Sequence, residues 1–157
     1  MADKEAPQVP QDAQFQLQKI YVKDISFETP NTPGIFKTEW KPSVDLHLTN
    51  EAKKIDESLY DVVLSVTVTV KLGEEVAYLV EINQAGVFML NNLPAEMLDR
   101  MLGIACPNIL FPYVREAVSD VILRGGFPQL LLAPVNFEAL YEQQKGTAQQ
   151  PPEKTTH

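Results

Sequence analysis

The stretch "YDVVLSVTVTVKL", residues 60–72, leaves this chain little freedom of fold. Leu64, Val66, Val68, Val70 and Leu72 alternate with Ser65, Thr67, Thr69 and Lys71. A period of two puts the first set on one face of a β-strand and the second set on the other, so one face is buried and the other meets water. Most of the apolar positions are β-branched, which favours the pleated sheet over the helix. "GEE" follows, and "VAYLVEI" then resumes the alternation with Val76, Tyr78, Val80 and Ile82 on one side. The pattern predicts a hairpin turning at Gly73.

Upstream, "FQLQKIYVKDISFE" and "SVDLHLTN" read as two more strands. Between them "TPNTPGIFKTEWKP" carries Pro30, Pro33, Gly34 and Pro42, which leave no room for a regular strand and mark a crossover loop. The second half is helical. "PAEMLDRMLGIA" starts with Pro94 in the first turn and places Met97, Met101 and Ile104 on one side. From Pro107 to Arg124, Leu110, Val114, Ala117, Val118, Val121 and Ile122 recur at three- and four-residue spacing, an amphipathic stripe that must face something apolar. Gly125 and Gly126 end that helix, and Asn136 can cap a short one carrying Phe137, Leu140 and Tyr141. The expected architecture is α+β: a four-stranded antiparallel sheet, a long amphipathic helix and a short C-terminal helix. Residues 15–142 form one domain, flanked by polar segments 1–14 and 143–157 whose Pro-, Gln- and Lys-rich composition reads as mobile tails.

Charge narrows the partners. Thirteen Lys and Arg against 21 Asp and Glu give a net charge of −8, a field that repels nucleic acid and anionic lipid and favours basic partners. From Leu72 to Asp99 there are five acids (Glu74, Glu75, Glu81, Glu96 and Asp99) and no base. The N-terminus "MADKEAPQVPQDAQ" lacks the basic start and apolar run of a signal peptide, and no apolar stretch approaches the roughly 20 residues that cross a bilayer. A lone cysteine fits a reducing compartment, so the expectation is a cytoplasmic protein that does not insert into membranes.

That cysteine opens "CPNILFPYVRE". A residue before proline tends to avoid the helical region, which places Cys106 near a helix N-terminus, where the dipole can lower a thiol pKa. A nucleophile also needs a base within reach. The histidines are His47, between Leu46 and Leu48 on a strand, and His157 in the tail. No Cys/His spacing suits a metal, and "QAGVF" and "RGGF" are too short for a phosphate loop. Glu74 and Glu75 sit at a turn tip as solvated surface. Cys106 therefore reads as a small buried hydrophobe, and the chain as a non-enzyme without cofactor or metal.

The strings "YVKDISFETPN", "VVLSVTVTVKLGEEVAYLVEINQAGVF", "CPNILFPYVRE" and "RGGFPQLLLAPVNFEALY" closely resemble the SecB family of bacterial protein-export chaperones, in order, over residues 15–142. The resemblance implies a homotetramer built as a dimer of dimers. It also implies a holdase that binds unfolded precursor proteins, keeps them competent for translocation and delivers them to the SecA motor. The motor's basic zinc-binding tail is then expected on an acidic sheet surface mapping to Asp24, Glu28, Leu79 and Glu81. Asp24 and Glu28 are four apart on a strand and share a face, and Leu79 lies opposite the Val/Tyr/Ile face, exposed among acids. Clients are expected in long apolar grooves lined by Phe36 and Trp40 of the crossover loop, Phe88, and Phe137 and Tyr141. The stripe Leu110, Val114, Val118 and Val121 is expected to pack between dimers. Ala85 stands where the family has glycine. An alternative of another class is a small α+β domain that encloses a lipid or other apolar metabolite.

Overall fold

The computed structural model describes residues 8–148. Its sheet contains β1 (Gln14–Glu28), β2 (Pro42–Asp56), β3 (Leu59–Leu72) and β4 (Glu75–Asn91), all antiparallel, in the order β1-β4-β3-β2. Gly73, at φ 64°, supplies the positive φ of the two-residue turn between Leu72 and Glu75. Because β1 and β2 form opposite edges, residues 29–41 must cross the sheet from one side to the other. This crossover is not wholly irregular. Gly34–Lys37 make a 3₁₀ turn that buries Ile35 and turns Phe36 outward.

The alternation read from the sequence holds over the full length of β3. Val62, Leu64, Val66, Val68 and Val70 are fully buried, as are Val80, Ile82 and Phe88 on β4. What covers them is helical. α1 (Ala95–Arg100) runs through a π-helical turn, Met101–Ala105, into α2 (Cys106–Arg124). The helix was expected to break at Cys106, but Cys106 is itself helical, at φ −63° and ψ −51°. Pro107 has no N–H to give and its ring crowds the carbonyl four residues back. The wider π turn absorbs the conflict: the Cys106 N–H reaches back five residues to the Met101 carbonyl. With helix on both sides, the pre-proline bias loses.

α2 packs chiefly on β4 and β3. Leu110, Val114, Val118 and Ile122 have no exposed surface, and Phe111 is nearly as deep. This corrects the expectation for the stripe: Leu110, Val114 and Val118 face the sheet of their own chain and cannot touch a second copy. Only Val121, half-buried, stays near the surface. β3 and β4 supply a long valine-rich floor that covers the stripe.

α3 (Phe137–Ala148) follows a segment without regular secondary structure, and Asn136 caps it through its Oδ1, which accepts the Ala139 N–H at 3.0 Å. The helix continues past residue 142, so residues 143–148 belong to it and not to a tail. Arg100 helps to fix this extension, donating to Glu142 at 2.9 Å and Glu138 at 3.0 Å. At the other end Ala13 and Asp12 are tied down by backbone and Asn92 contacts, while residues 1–7 and 149–157 of the expected tails lie outside the described residues. Leu110→Ala should lower unfolding free energy by roughly 2–5 kcal/mol in chemical denaturation, as expected of a core leucine.

Candidate partner and client surfaces

The two faces of the sheet carry different chemistry. Cross-strand register places Glu28 beside Leu79, Ser26 beside Glu81 and Asp24 beside Asn83. Directly paired residues share a face, so Asp24, Glu28, Leu79 and Glu81 do lie together, on the side away from α2. The rows continue through Thr69 and Thr67 of β3 to Asp45 and His47 of β2, which adds an acid the sequence reading missed. Asp24, Glu28, Asp45 and Glu81 are exposed, whereas Leu79 is half-buried between its neighbours. The acidic run from Leu72 to Asp99 is therefore not one surface. Glu81 belongs to the sheet face, Glu74 to the hairpin tip, and Glu96 and Asp99 to α1.

Farther along the same face the chemistry changes. β1 has a bulge between Val22 and Asp24, which sends Lys23 to Asp61 at 3.0 Å. Tyr21 pairs with Ala85 and donates its hydroxyl to Asp61 on the strand beyond, at 2.5 Å. Asp61, the largest cause, and burial together push the Tyr21 hydroxyl pKa up to about 12. Tyr21 crosses β4 at Ala85, where a small side chain is needed. Ala85 is buried in an ordinary strand conformation, and the one positive φ at a non-glycine among the described residues is at Asn92. Alanine fits there without backbone strain.

The inner face is largely apolar, with Gln84 and Asn50 as polar exceptions, and is only half covered. Val44 and Leu46 of β2 are 46% and 42% exposed, and Phe36 of the crossover is 52% exposed. Trp40 is half-buried, 5.9 Å from the Phe127 ring, which Phe36 also meets at 5.1 Å. The expected aromatic set therefore divides. Phe36 and the edge of Trp40 remain accessible. Phe88 is fully buried beside Phe15 and belongs to the core, so it lines no groove. Phe137 is also buried, edge-on to Phe111. Val44 and Leu46 were missed because alternation shows a strand's inner face but not whether that strand lies at an edge.

A cleft of ≈ 460 Å³ opens between α3, the π turn and β2, lined by Leu48, Asn50, Leu102, Phe137, Leu140 and Tyr141 among others. Gly103 makes the close approach possible, since a Cβ there would fall 2.6 Å from the Tyr141 ring. Tyr141 is half-buried, donates its hydroxyl to Asp99 and lies under the Arg100 guanidinium, 5.5 Å from the ring centre.

Cys106 faces neither surface. It is buried within the continuous helix, where desolvation pushes the thiol pKa up to about 12. The helix N-terminus expected to activate it lies a full π turn and α1 upstream. The reactive thiolate is thus scarce near neutral pH. Alkylation by iodoacetamide should therefore be very slow in native protein and fast in denaturant, read by intact mass against time.

The sheet thus offers two chemically distinct exposed surfaces, an acidic outer face and a half-covered apolar inner face, the character of a binding module. The sequence profile described as Preprotein translocase subunit SecB matches residues 8–148. The chain is 60% identical over 137 residues to the protein-export protein SecB of Nitrosococcus oceani, covering 86% of this chain and 84% of that one. It is 47% identical to that of Methylobacillus flagellatus over 157 residues, the whole of both chains. The fold matches a SecB-like chaperone of Mycobacterium tuberculosis, solved in complex with a peptide from an antitoxin, at a TM-score of 0.65 and 18% identity, over 77% of this chain and 90% of that one. The chain belongs to the SecB family of protein-export chaperones. No helix among the described residues is long and apolar enough to cross a membrane.

Proposed function

We propose that this chaperone holds unfolded precursor proteins in the cytoplasm, keeps them translocation-competent and passes them to the SecA motor, working as a homotetramer. The observation that carries this reading is the opposition of the two faces. Asp24, Glu28 and Glu81 surround Leu79 on one side of the sheet, and Val44, Leu46 and Phe36 lie open on the side of the helices. A client and a motor can then bind one subunit at once without competing.

Unfolded chains present no fixed shape, so recognition rests on apolar contacts spread over many weak sites, whose linkage raises avidity by roughly 10²–10⁴. The open strip of β2, the crossover aromatics and the α3 cleft provide such sites. The SecB-like chaperone of the same fold, solved with a peptide, supports a client of this kind. On the outer face, carboxylates around a half-buried leucine suit a basic, partly apolar segment such as the zinc-binding tail of SecA.

Assembly needs an apolar surface that the monomer leaves free. With Leu110, Val114 and Val118 committed to the core, the ridge Ile109, Tyr113, Ala117 and Val121 is the best candidate: an i, i+4 row on α2, half-buried or exposed at every position. Ala117→Arg should therefore lower the assembled mass in light scattering, while Leu110→Ala weakens the subunit fold.

The deciding experiment is a triple charge reversal, Asp24→Lys with Glu28→Lys and Glu81→Lys. Single exposed pairs contribute only about 0.2–1 kcal/mol each, so the combination is needed. Calorimetric affinity for the SecA tail should fall by an order of magnitude or more, about 1.4 kcal/mol. Wild-type affinity should also fall as salt rises past about 0.15 M. Client binding should be unchanged. Unaltered tail affinity in the triple variant would reduce the acidic face to a solubility device.

A further inference from the structure

Between Val44 and Ala52 the inner face of β2 is apolar at every position but one. The exception is Asn50, which stands opposite the fully buried Leu64. Its Nδ2 donates to the Leu102 carbonyl of the π turn at 3.2 Å. Its Oδ1 is shielded from solvent and accepts no hydrogen bond from any described residue. A buried acceptor without a donor is a standing penalty, which an apolar side chain of similar shape would remove. Yet the amide lines the cleft between β2 and α3, among Leu48, Leu102, Phe137 and Leu140.

We propose that Asn50 is a recognition residue for the client main chain, its Oδ1 accepting a backbone N–H from an extended segment lodged between β2 and α3. This rests on the reading of the inner face as the client surface. The chemistry of the client supports the assignment. Every residue of an unfolded chain except proline carries a main-chain N–H, and that group can enter an apolar cleft only if an acceptor waits there. A side-chain acceptor among aliphatic walls gives a contact that is independent of client sequence, which apolar pockets alone cannot. To reach Oδ1 the N–H must displace part of a wall. α3 is the wall whose polar anchors are exposed, the pairs of Arg100 with Glu138 and Glu142.

Two probes test this by fluorescence anisotropy: an unstructured peptide rich in leucine and serine, and the same peptide N-methylated at every residue, which leaves no main-chain N–H to donate. Asn50→Leu should raise the melting temperature and weaken binding of the unmethylated peptide about 3–10-fold, the range of one hydrogen bond. The methylated peptide should bind wild type and Asn50→Leu alike. Asn50→Thr, which keeps a hydroxyl acceptor on a strand-favouring residue, should retain the preference for the unmethylated peptide, and it serves should the leucine variant fail to fold. Equal binding of the unmethylated peptide by wild type and Asn50→Leu would overturn the proposal and leave Oδ1 an acceptor for internal water. So would an equal loss for both peptides. Failure of wild type to bind either peptide would instead sink the client reading itself, and this inference with it.

Discussion

A single helix laid on a wider sheet sets the terms for everything else in this molecule. α2, with a diameter of about 10 Å, spans about two strands at their spacing of roughly 4.8 Å. It lies over β3 and β4, whose inner residues are fully buried, and leaves β1 and β2 to either side. The edge strands keep the same inward alternation without the same cover. Val22 and Ile25 on one edge and Val44 and Leu46 on the other are therefore apolar and open. A larger helical layer would have made a more stable domain with nothing to offer a disordered chain.

The outer face is governed by different physics. It has no covering layer, so its design problem is to stay soluble while remaining selective. Polar threonines on β3 provide the background, with acids grouped toward the β3–β4 turn. Toward the opposite end the bulge in β1 and the reach of Tyr21 over Ala85 bring two donors to Asp61, and the polar groups there satisfy one another. One end of the face is thus charged and open, and the other is internally matched.

Much of this was legible in the sequence because period-two alternation in β3 and β4 is strong and the Asn136 cap is local chemistry. The acidic cluster came from the family resemblance; strand spacing by itself showed only that Asp24 and Glu28 share a face and that Leu79 lies opposite the Val/Tyr/Ile row. What escaped depends on who covers whom. The sequence shows that Leu110, Val114 and Val118 need an apolar partner, and only the structure shows that the partner is their own sheet. Phe88 and Phe36 are equally aromatic in sequence, but one pairs with the central strand β3 and the other caps a turn. Asn50 was passed over because an asparagine near the end of an expected strand reads as a terminator. β2 in fact continues to Asp56, and its polar residue becomes an interior one.

The π turn at Met101–Ala105 has a consequence for how the helical layer is phased. Each residue of an α-helix advances the chain by about 100°, so a segment that accommodates one extra residue rotates everything before it relative to everything after. α1 is thereby turned so that Asp99 and Arg100 meet α3, while α2 keeps its apolar stripe on the sheet. A regular α-helix through the same span could satisfy one of these alignments but not both. The wide turn works as a phase joint: one run of helix serves two differently oriented neighbours, and the proline that forces the joint open keeps it from closing into ordinary helix.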